Sequence, residues 1–257
     1  MGTIAITGSA GGIGVATRSL LEADGHRVIG IDLRDADIIA DVSTPSGRSV
    51  MIEQVDVRCR GVLDGLVAAA GISSNGSNED LVVSVNYFGA VAALDGLRPM
   101  LARGTNPSAV AISSNSTTAQ TGIPEDAVDA CLAGDEARAC RAASTAPMGG
   151  YPASKLALAH WVRINATTSA WVGAGIRLNA IAPGLIETPM TDGGIEFVLS
   201  LGDVYPVPIR RAGQPTEVAA LLAYLLSSAA GFFVGSFIVM DGGTDAALRP
   251  RDWPAAR

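Results

Sequence analysis

The sequence predicts an α/β fold in which a doubly wound parallel sheet is covered on both faces by helices. Short apolar runs recur along the 257 residues, and helix-like amphipathic stretches separate them. The runs are continuously apolar rather than alternating, which is typical of strands buried on both faces of a sheet. A glycine-rich turn, TGSAGGIG at 7–14, joins the first run to the first helix-like stretch. These observations predict a parallel sheet whose first strand leads into a phosphate-binding turn.

Seven strands are predicted from the apolar runs. In chain order they are TIAIT (3–7), RVIGI (27–31), DIIA (37–40), LDGLVAA (63–69), SAVAIS (108–113), IRLNAI (176–181) and SFIVM (236–240). No internal repeat, low-complexity run or linker-like change of composition divides the chain. We therefore expect residues 1–257 to form a single domain.

Two segments depart from the alternation of strands and helices. Residues 116–148 are small, polar and charged, and Pro124 followed by acidic residues predicts a helical insertion there. Residues 185–213 mix large apolar side chains with Gly and Pro. Loops of this length in a compact domain are usually functional or mobile, so we expect this segment to form a substrate lid.

Composition and charge exclude several classes of protein. With 48% hydrophobic and 17% charged residues the chain can build a sizeable core, which excludes a disordered tail protein. The net charge of -7 leaves no basic surface for nucleic acid or an anionic membrane. The cysteines, Cys59, Cys131 and Cys140, lack C-x-x-C spacing, and only His26 and His160 accompany them, so no metal cluster is expected. We read them as reduced thiols of a cytoplasmic protein, and no signal peptide is predicted at the N-terminus.

One uncharged segment, 218–240, has the length of a membrane span. The sequence SSAAG within it divides it into a helix-length stretch and a short β-rich run. We therefore predict a buried helix followed by a buried strand, and no membrane insertion.

The glycine-rich turn is the first candidate binding element. Glycines permit a tight turn and close approach of the backbone, and the start of the following helix offers free N–H groups to a pyrophosphate. Gly8, Gly12 and Gly14 are spaced as G-x-x-x-G-x-G rather than G-x-G-x-x-G. An ordinary strand-to-helix turn is the alternative.

Asp32 ends the second predicted strand, where a carboxylate can hydrogen-bond the hydroxyls of an adenosine ribose. Such a carboxylate repels the additional phosphate of NADP and favours NAD, although the positive charge of Arg34, two residues on, would weaken that preference. An exposed strand-end aspartate is the alternative. Asp41 and Val42 end the third run, where they either meet the adenine or form a simple turn.

A tyrosine and a lysine, Tyr151 and Lys155, stand four positions apart at the start of an alanine-rich helix-like stretch. Side chains at i and i+4 lie on one face of a helix, so a phenol beside an ammonium is a candidate acid. A free tyrosine has a pKa near ~10, and a neighbouring cation is expected to lower it. An amphipathic surface pair is the alternative.

With these residues in view, the chain resembles the short-chain dehydrogenase/reductase family along nearly its whole length. The matching segments are TGSAGGIG, Asp32, DV at 41–42, AAAG at 68–71, VNYFG at 85–89, ISS at 112–114, YPASK at 151–155, NAIAPGLIETPM at 179–190 and DGG at 241–243. The resemblance implies a Rossmann-type fold, the cofactor NAD and a catalytic tetrad of Asn86, Ser114, Tyr151 and Lys155. The cofactor-binding residues it implies are Gly8, Ser9, Gly12, Ile13, Gly14, Asp32, Leu33, Asp41, Val42, Ala70, Gly71, Tyr151, Lys155, Pro183, Gly184, Ile186 and Thr188.

The implied tetrad suits the reduction of a ketone. Negative charge develops on the carbonyl oxygen as hydride reaches carbon, so Tyr151 would supply a proton and Ser114 a hydrogen bond. Lys155 would lower the pKa of the phenol and hold the nicotinamide ribose, and Asn86 would hold a water of a proton relay. The alternatives are that Ser114 caps a turn, that Asn86 satisfies a backbone group, and that Pro183 and Gly184 form an ordinary turn.

Two departures from the family narrow the subfamily. The family's common NNAG is AAAG here, so Ala69 replaces an asparagine, which should cost local hydrogen bonding only. Ser114 and Tyr151 are 37 positions apart, because the insertion lies between them. Together with GIDLRDADIIADVSTPSGR, LVVSVNYFGA and LAGDEARA, this insertion resembles the bacterial 3α-hydroxysteroid dehydrogenase/carbonyl reductase group. In that group the insertion occupies a helix-to-helix interface and redirects dimerisation.

The first hypothesis is therefore an NAD(H)-dependent oxidoreductase that interconverts a secondary alcohol and a ketone on a bulky apolar molecule, a 3α-hydroxysteroid. Ser114, Tyr151, Met190 and Phe197 would contact the substrate. The apolar side chains of the lid would be Met190, Ile195, Phe197, Val198, Leu201 and Tyr205. The alternatives are a dehydrogenase for a smaller cyclic alcohol, a general carbonyl reductase and a non-catalytic NAD sensor. We expect a homodimer or homotetramer.

Overall fold

Seven parallel strands form one sheet in the order β3-β2-β1-β4-β5-β6-β7 in the computed structural model, which describes residues 1–252. The strands are β1 Thr3–Thr7, β2 Arg27–Asp32, β3 Ile38–Ile39, β4 Gly65–Ala68, β5 Ser108–Ile112, β6 Arg177–Pro183 and β7 Phe237–Met240. All seven predicted strands are confirmed, each to within two residues at either end. The chain is one Rossmann-like domain, as predicted.

Eleven α-helices and a π-helical segment accompany the sheet within the described residues. The helices are α1 Gly12–Ala23, α2 Pro45–Cys59, α3 Glu79–Val83, α4 Ala90–Leu101, α5 Ser116–Ala119, α6 Glu125–Leu132, α7 Glu136–Ala143, α8 Gly150–Ala166, α9 Ile195–Ser200, α10 Pro215–Leu226 and α11 Thr244–Leu248. The π-helical segment, Ser84–Gly89, joins α3 to α4.

Two apolar layers, one on each face of the sheet, make up the core. Successive strand side chains point to opposite faces. In β1, Ala5 therefore packs with α2, α4 and α8, whereas Ile4 and Ile6 pack with α1 and α10. Burial on both faces explains why the strands are apolar without alternation.

Strand β1 is the point at which the direction of strand addition reverses, because β2 and β4 flank it on either side. The loops that leave β1 and its neighbours therefore diverge and open a crevice at the carboxyl edge of the sheet. The candidate site lies at this edge.

The apolar segment 218–240 follows the prediction of a helix and then a strand, since it contains most of α10 and all of β7. Strand β7 is half-buried rather than buried, because it forms an edge of the sheet. A different run, Glu79–Leu101, is long and apolar enough to span a membrane. Of an apolar 18-residue stretch within this run, 56% is buried inside the domain, as in a core helix.

The insertion folds as predicted into helices. Asp135 begins α7 by accepting a hydrogen bond from the backbone N–H of Arg138, and two acidic residues, Glu125 and Asp126, occupy the first turn of α6. Buried alanines of α6 and α7 pack on α8, so the insertion covers the helix that carries Tyr151.

The predicted lid is a loop that is closed at its base. Ile186 and Gly213 pair in an isolated bridge, and the backbone N–H of Glu187 donates to the carbonyl of Gly213 over 2.9 Å. Helix α9 lies at the far end of this loop. The two ends of the predicted lid are therefore joined to each other.

Candidate active site

A cleft of about 670 Å³ lies across the carboxyl ends of β1, β2 and β4. Most of the predicted cofactor-binding residues line it. They are Gly8, Gly12, Ile13, Gly14, Asp32, Leu33, Asp41, Val42, Ala70, Gly71 and Thr188. The structure thus gathers segments that are far apart in the chain into one elongated binding surface.

The glycine-rich turn has the geometry needed to receive a diphosphate. Gly8 has a φ of +70°, and a Cβ there would lie 2.7 Å from the backbone of Ala70. A Cβ on Gly14 would lie 2.0 Å from the carbonyl oxygen of Gly8. The residue before α1, Gly11, offers no side-chain cap, so the N–H groups of the first turn remain available to an anion. The residues present fit a dinucleotide.

Asp32 lies in the cleft next to the glycine-rich turn. Its carboxylate accepts hydrogen bonds from the backbone N–H of Ala10 (2.9 Å) and of Leu33 (2.7 Å). These bonds fix the carboxylate where β2 ends and leave it facing the cleft, beside Arg34. A ribose diol is the group that such a carboxylate recognises.

Six predicted cofactor residues lie outside this lining: Tyr151 and Lys155, which are described below, and Ser9, Pro183, Gly184 and Ile186. The hydroxyl of Ser9 is buried without a hydrogen-bond partner and points toward Gly30, away from the cleft. Pro183 ends β6, and Gly184 packs against Asp241. Ile186 lines a separate cavity of about 130 Å³ behind the base of the lid.

The tyrosine and lysine singled out from the sequence meet on α8. Tyr151 stands in the first turn, and the Nζ of Lys155 lies 5.8 Å from the centre of its ring. Lys155 is only 4% exposed and donates a 2.9 Å hydrogen bond to the carbonyl of Ile112 at the end of β5. The pair is therefore not a solvated surface pair. Burial lowers the pKa of Lys155 to about 8.

The pKa of Tyr151 moves against the expectation from the sequence. Burial raises it, and a hydrogen bond with Ser114 opposes that shift in part. The expected lowering by Lys155 does not dominate, because withdrawal of the phenol from water disfavours its charged form more strongly. In the protein alone, Tyr151 is thus a neutral proton donor.

Ser114 follows β5 and is 7% exposed. Its Oγ accepts a 3.1 Å hydrogen bond from the backbone N–H of Ser116, which leaves its own proton free to donate. The preceding hydroxyl, that of Ser113, donates to the carbonyl of Lys155 over 2.8 Å. The end of β5 is in this way joined directly to the face of α8 that carries Lys155.

Asn86 lies in the π-helical segment, a feature frequent at functional sites. Its Oδ1 accepts from the backbone N–H of Ile72 (2.8 Å), and its Nδ2 donates to the carbonyl of the same residue (3.0 Å). A Cβ on Gly71 would lie 3.2 Å from Asn86 Oδ1 and 3.4 Å from Lys155 Nζ, so the three meet at the cleft. The side chain braces the loop after β4, the alternative weighed above, and its place in a water relay stays a prediction.

The predicted substrate residues divide into two groups. Met190 lines the cleft beside Thr188, and Thr188 packs where a Cβ on Gly12 would stand, at 2.9 Å. Phe197, on α9, is 67% exposed and lies outside the cleft. Tyr205, predicted as an apolar lid residue, is instead fixed by hydrogen bonds. Its hydroxyl accepts from Asn115 Nδ2 (2.8 Å) and donates to Asn115 Oδ1 (3.0 Å).

Several residues of the site escaped the sequence analysis. Thr7 Oγ1 accepts from the backbone N–H groups of Ala69 and Ala70, each at 3.1 Å, and so braces AAAG without the asparagine. Further lining comes from Ala10, Gly11, Ala40, Ala69, Ile72, Ser73, Asn75, Asn78, Val85 and Pro189. For the lining residues of the loop 72–78, polar composition was the only feature of the sequence that could have indicated a role in the site. Within residues 1–252, no three His, Cys, Asp or Glu side chains are grouped closely enough to hold a metal ion.

Comparisons with known proteins identify the family of the chain. A family model described as enoyl-(acyl carrier protein) reductase matches residues 137–245. A 3α-hydroxysteroid dehydrogenase/carbonyl reductase of Comamonas testosteroni is 43% identical, over 97% of this chain and 99% of that protein. A cis-4-hydroxycyclohexanecarboxylate dehydrogenase of Sinomonas cyclohexanicum is 31% identical, over 94% and 95%. Among solved structures, a 3α-hydroxysteroid dehydrogenase of Pseudomonas sp. B-0831 complexed with NADH superposes with a TM-score of 0.90 at 45% identity, covering 98% of this chain and 100% of that one.

Proposed function

The chain belongs to the short-chain dehydrogenase/reductase family, and we propose that it is an NAD(H)-dependent oxidoreductase that interconverts 3α-hydroxysteroids and 3-oxosteroids. The observation that carries this proposal is the meeting of Tyr151, Lys155 and Ser114 beside a cleft that contains the diphosphate turn and, next to it, Asp32. The relatives of Comamonas and Pseudomonas, which act on 3α-hydroxysteroids by name, support the substrate class.

The cofactor is NAD rather than NADP. The N–H groups that open α1 would hold the diphosphate, and Asp32 would hold the adenosine ribose. The carboxylate of Asp32, fixed by two backbone donors, would stand against an additional phosphate on that ribose. When bound, the nicotinamide supplies or accepts the hydride.

The chain's own residues handle the oxygen and its proton. In the direction of reduction, Tyr151 donates a proton to the carbonyl oxygen as negative charge develops there, and Ser114 donates a hydrogen bond to the same oxygen. In the direction of oxidation, Tyr151 takes the proton of the alcohol. Lys155 provides a positive charge 5.8 Å from the phenol ring, which favours the phenolate. Asn86 keeps the loop after β4 in position between the cleft and Lys155.

The second candidate is an enzyme for a smaller cyclic alcohol. The relative of Sinomonas, whose name gives a hydroxycyclohexanecarboxylate as substrate, favours it. Met190 at the cleft favours the larger apolar substrate, because a small carboxylate needs a cationic partner rather than an apolar contact.

The test is turnover, followed at the absorbance band of reduced nicotinamide. Purified protein is incubated with NAD or NADP and with either 3α-, 3β- and 17β-hydroxysteroids or small cyclic alcohols as substrates. Turnover of a 3α-hydroxysteroid with NAD is expected. Tyr151→Phe should reduce kcat by about 10²–10⁴-fold, while Tyr224→Phe, a change at an exposed tyrosine, should have no effect. Turnover of small alcohols alone would reject the steroid, and full activity of Tyr151→Phe would reject the assigned acid.

We also propose that the enzyme is a cytoplasmic homodimer or homotetramer. The cysteines are free in the structure, with Cys59 and Cys131 buried and Cys140 half-buried, which supports a reducing compartment. Strand β7 ends the sheet without a partner strand in the described chain, and Phe232 beside it is fully exposed. An unpaired edge next to an exposed aromatic side chain supports association with another copy.

A further inference from the structure

We propose that Glu79 is a positioning residue of the reaction: its buried carboxylate holds the start of α8, and thereby the phenol of Tyr151, in the place where proton transfer occurs. The inference deepens the proposed function, because it rests on Tyr151 as the acid. Glu79 lies on α3, outside the tetrad and outside the lining of the cleft.

The carboxylate of Glu79 replaces the cap that α8 lacks. The residue before the helix is Gly149, which has no side chain to accept the first N–H groups. Glu79 Oε2 accepts instead from the backbone N–H of Gly150, at 2.8 Å, one residue before Tyr151. A negative charge at the N-terminus of a 17-residue helix is also favoured by the helix dipole.

The approach of the carboxylate is built into the sequence of the helix start. A Cβ on Gly150 would lie 2.5 Å from Glu79 Oε2, so any larger residue there would displace the carboxylate from its present position. Glu79 is 4% exposed, and a buried carboxylate is costly unless hydrogen bonds satisfy it. Glu79 is not one of the four tetrad residues, yet the fold keeps its carboxylate buried and hydrogen-bonded to the start of α8.

The second carboxylate oxygen holds the last residues of the insertion. Glu79 Oε1 accepts from the backbone N–H of Met148 over 3.2 Å and from the hydroxyl of Ser74. Met148 has a φ of +62°, a backbone conformation that residues other than glycine rarely adopt. Such a conformation persists only where the surroundings enforce it, and here the carboxylate contributes to enforcing it two residues before α8 begins.

The same carboxylate links the cleft to the tyrosine. Ser74 belongs to the loop 72–78, whose neighbouring residues Ser73 and Asn75 line the cleft. Farther along α8, the bonds of Lys155 to Ile112 and of Ser113 to Lys155 hold the next turn of the helix. Tyr151 therefore lies between two fixed points, and Glu79 provides the one at its N-terminal side.

The test measures catalysis per cofactor-binding site in the full-length protein. Glu79→Gln keeps the shape of the side chain but turns an NH₂ group toward a backbone N–H, and Glu79→Ala removes every bond. A misplacement of about 1 Å costs about 10²-fold in rate, so kcat is expected to fall about 10-fold in the first variant and about 10²-fold in the second. The Kd for NADH should change less than about 2-fold, because the cleft lining is intact. Asp80→Asn, an exposed carboxylate on the same turn, is the matched control.

A comparison in the Tyr151→Phe background separates positioning from stability. If Glu79 acts through the phenol, Glu79→Gln should lower kcat in the parent and leave the residual rate of Tyr151→Phe unchanged. Equal losses in both backgrounds, or an unchanged kcat per NADH site in Glu79→Gln, would overturn the inference. If Glu79→Ala is insoluble, the Gln variant decides by itself. Full activity of Tyr151→Phe alone would instead overturn the proposed acid.

Discussion

Lys155 is the only lysine among the 257 residues; the other 17 of the 18 basic residues are arginines. Its ammonium is buried, and its pKa is lowered to about 8. Arginine stays charged at every accessible pH and is bulkier, whereas the amine of Lys155 fits a buried site in which its pKa is lowered to about 8. At this position the chemistry of the site, rather than a general need for positive charge, selects the amine.

Burial of Lys155 predicts a pH-dependent cost to stability in the cofactor-free protein. Its folded-state pKa of about 8 lies below the ordinary value. Between about pH 8 and about pH 10 the unfolded chain therefore binds more protons than the folded one, and stability rises with pH. The cost is fully present below about pH 8. Above about pH 10 the ionisation of tyrosines in the unfolded chain opposes the rise.

Lys155→Met is expected to unfold with a free energy about 1–3 kcal/mol higher than the parent near pH 7, because it removes a buried charge. The gain should shrink toward about pH 9.5, and activity should be lost. Urea denaturation at both pH values measures the difference. Because Lys155 is the sole lysine, selective labelling with nitrogen-15 yields one side-chain resonance, whose titration reports the pKa directly. A midpoint near the ordinary value of a free lysine would contradict this prediction.

At the scale of elements, Arg177 fixes the end of α10 to the sheet. Its guanidinium donates to the carbonyls of Leu225 and Ala230, each at 2.9 Å, and of Ser227 at 3.0 Å. These are carbonyls at and beyond the last turn of a helix, which have no partners within it. Arg177→Ala should lower the free energy of unfolding by about 3 kcal/mol, since it leaves buried carbonyls unsatisfied. The exposed Arg163→Ala, measured by the same denaturation, should cost less than about 0.5 kcal/mol.

Tyr205 anchors the returning arm of the lid to the residue after Ser114. Asn115 Nδ2 also donates to Asp241, so the lid, the active-site loop and the end of β7 share one network. Tyr205→Phe removes the hydroxyl and should loosen the lid. Limited chymotrypsin cleavage at the exposed Phe197 should then become several-fold faster, and the KM for a bulky substrate should rise. Identical cleavage rates in the two proteins would show that the bond does not restrain the lid.

The elements were predictable because local pattern determines them, whereas contacts between elements were not. Continuous apolar runs located every strand, and motif spacing located the tyrosine, the lysine and the glycine turn. Glu79 looked like an ordinary acidic residue of a first helical turn, and only the fold brings it to Gly150, 71 positions away. For Ser9 the reverse holds: the motif predicted its position in the chain but not that its hydroxyl points toward Gly30.

At the scale of the whole molecule, the exposed edge at β7 bears on association. Phe232→Glu places a charge beside that edge and should shift the protein toward the monomer. Light scattering coupled to size exclusion measures the mass at several concentrations. Val57→Glu, on α2 at the other end of the sheet, is the control and should leave the mass unchanged. A monomeric parent would reject the proposed oligomer.

The bond between Asn115 and Asp241 also has a consequence for synthesis. The two residues are separated by 126 positions. At ribosomal rates of about 5–20 residues per second, the second partner follows the first after roughly 6–25 s. Tyr151 is added 36 positions after Asn115, and from then on the nascent chain contains Ser114 and Tyr151 but lacks the strand that completes their surroundings. Steroid binding should therefore begin only when β7 has left the ribosome. The substrate then cannot stabilise the intermediates that form early in folding.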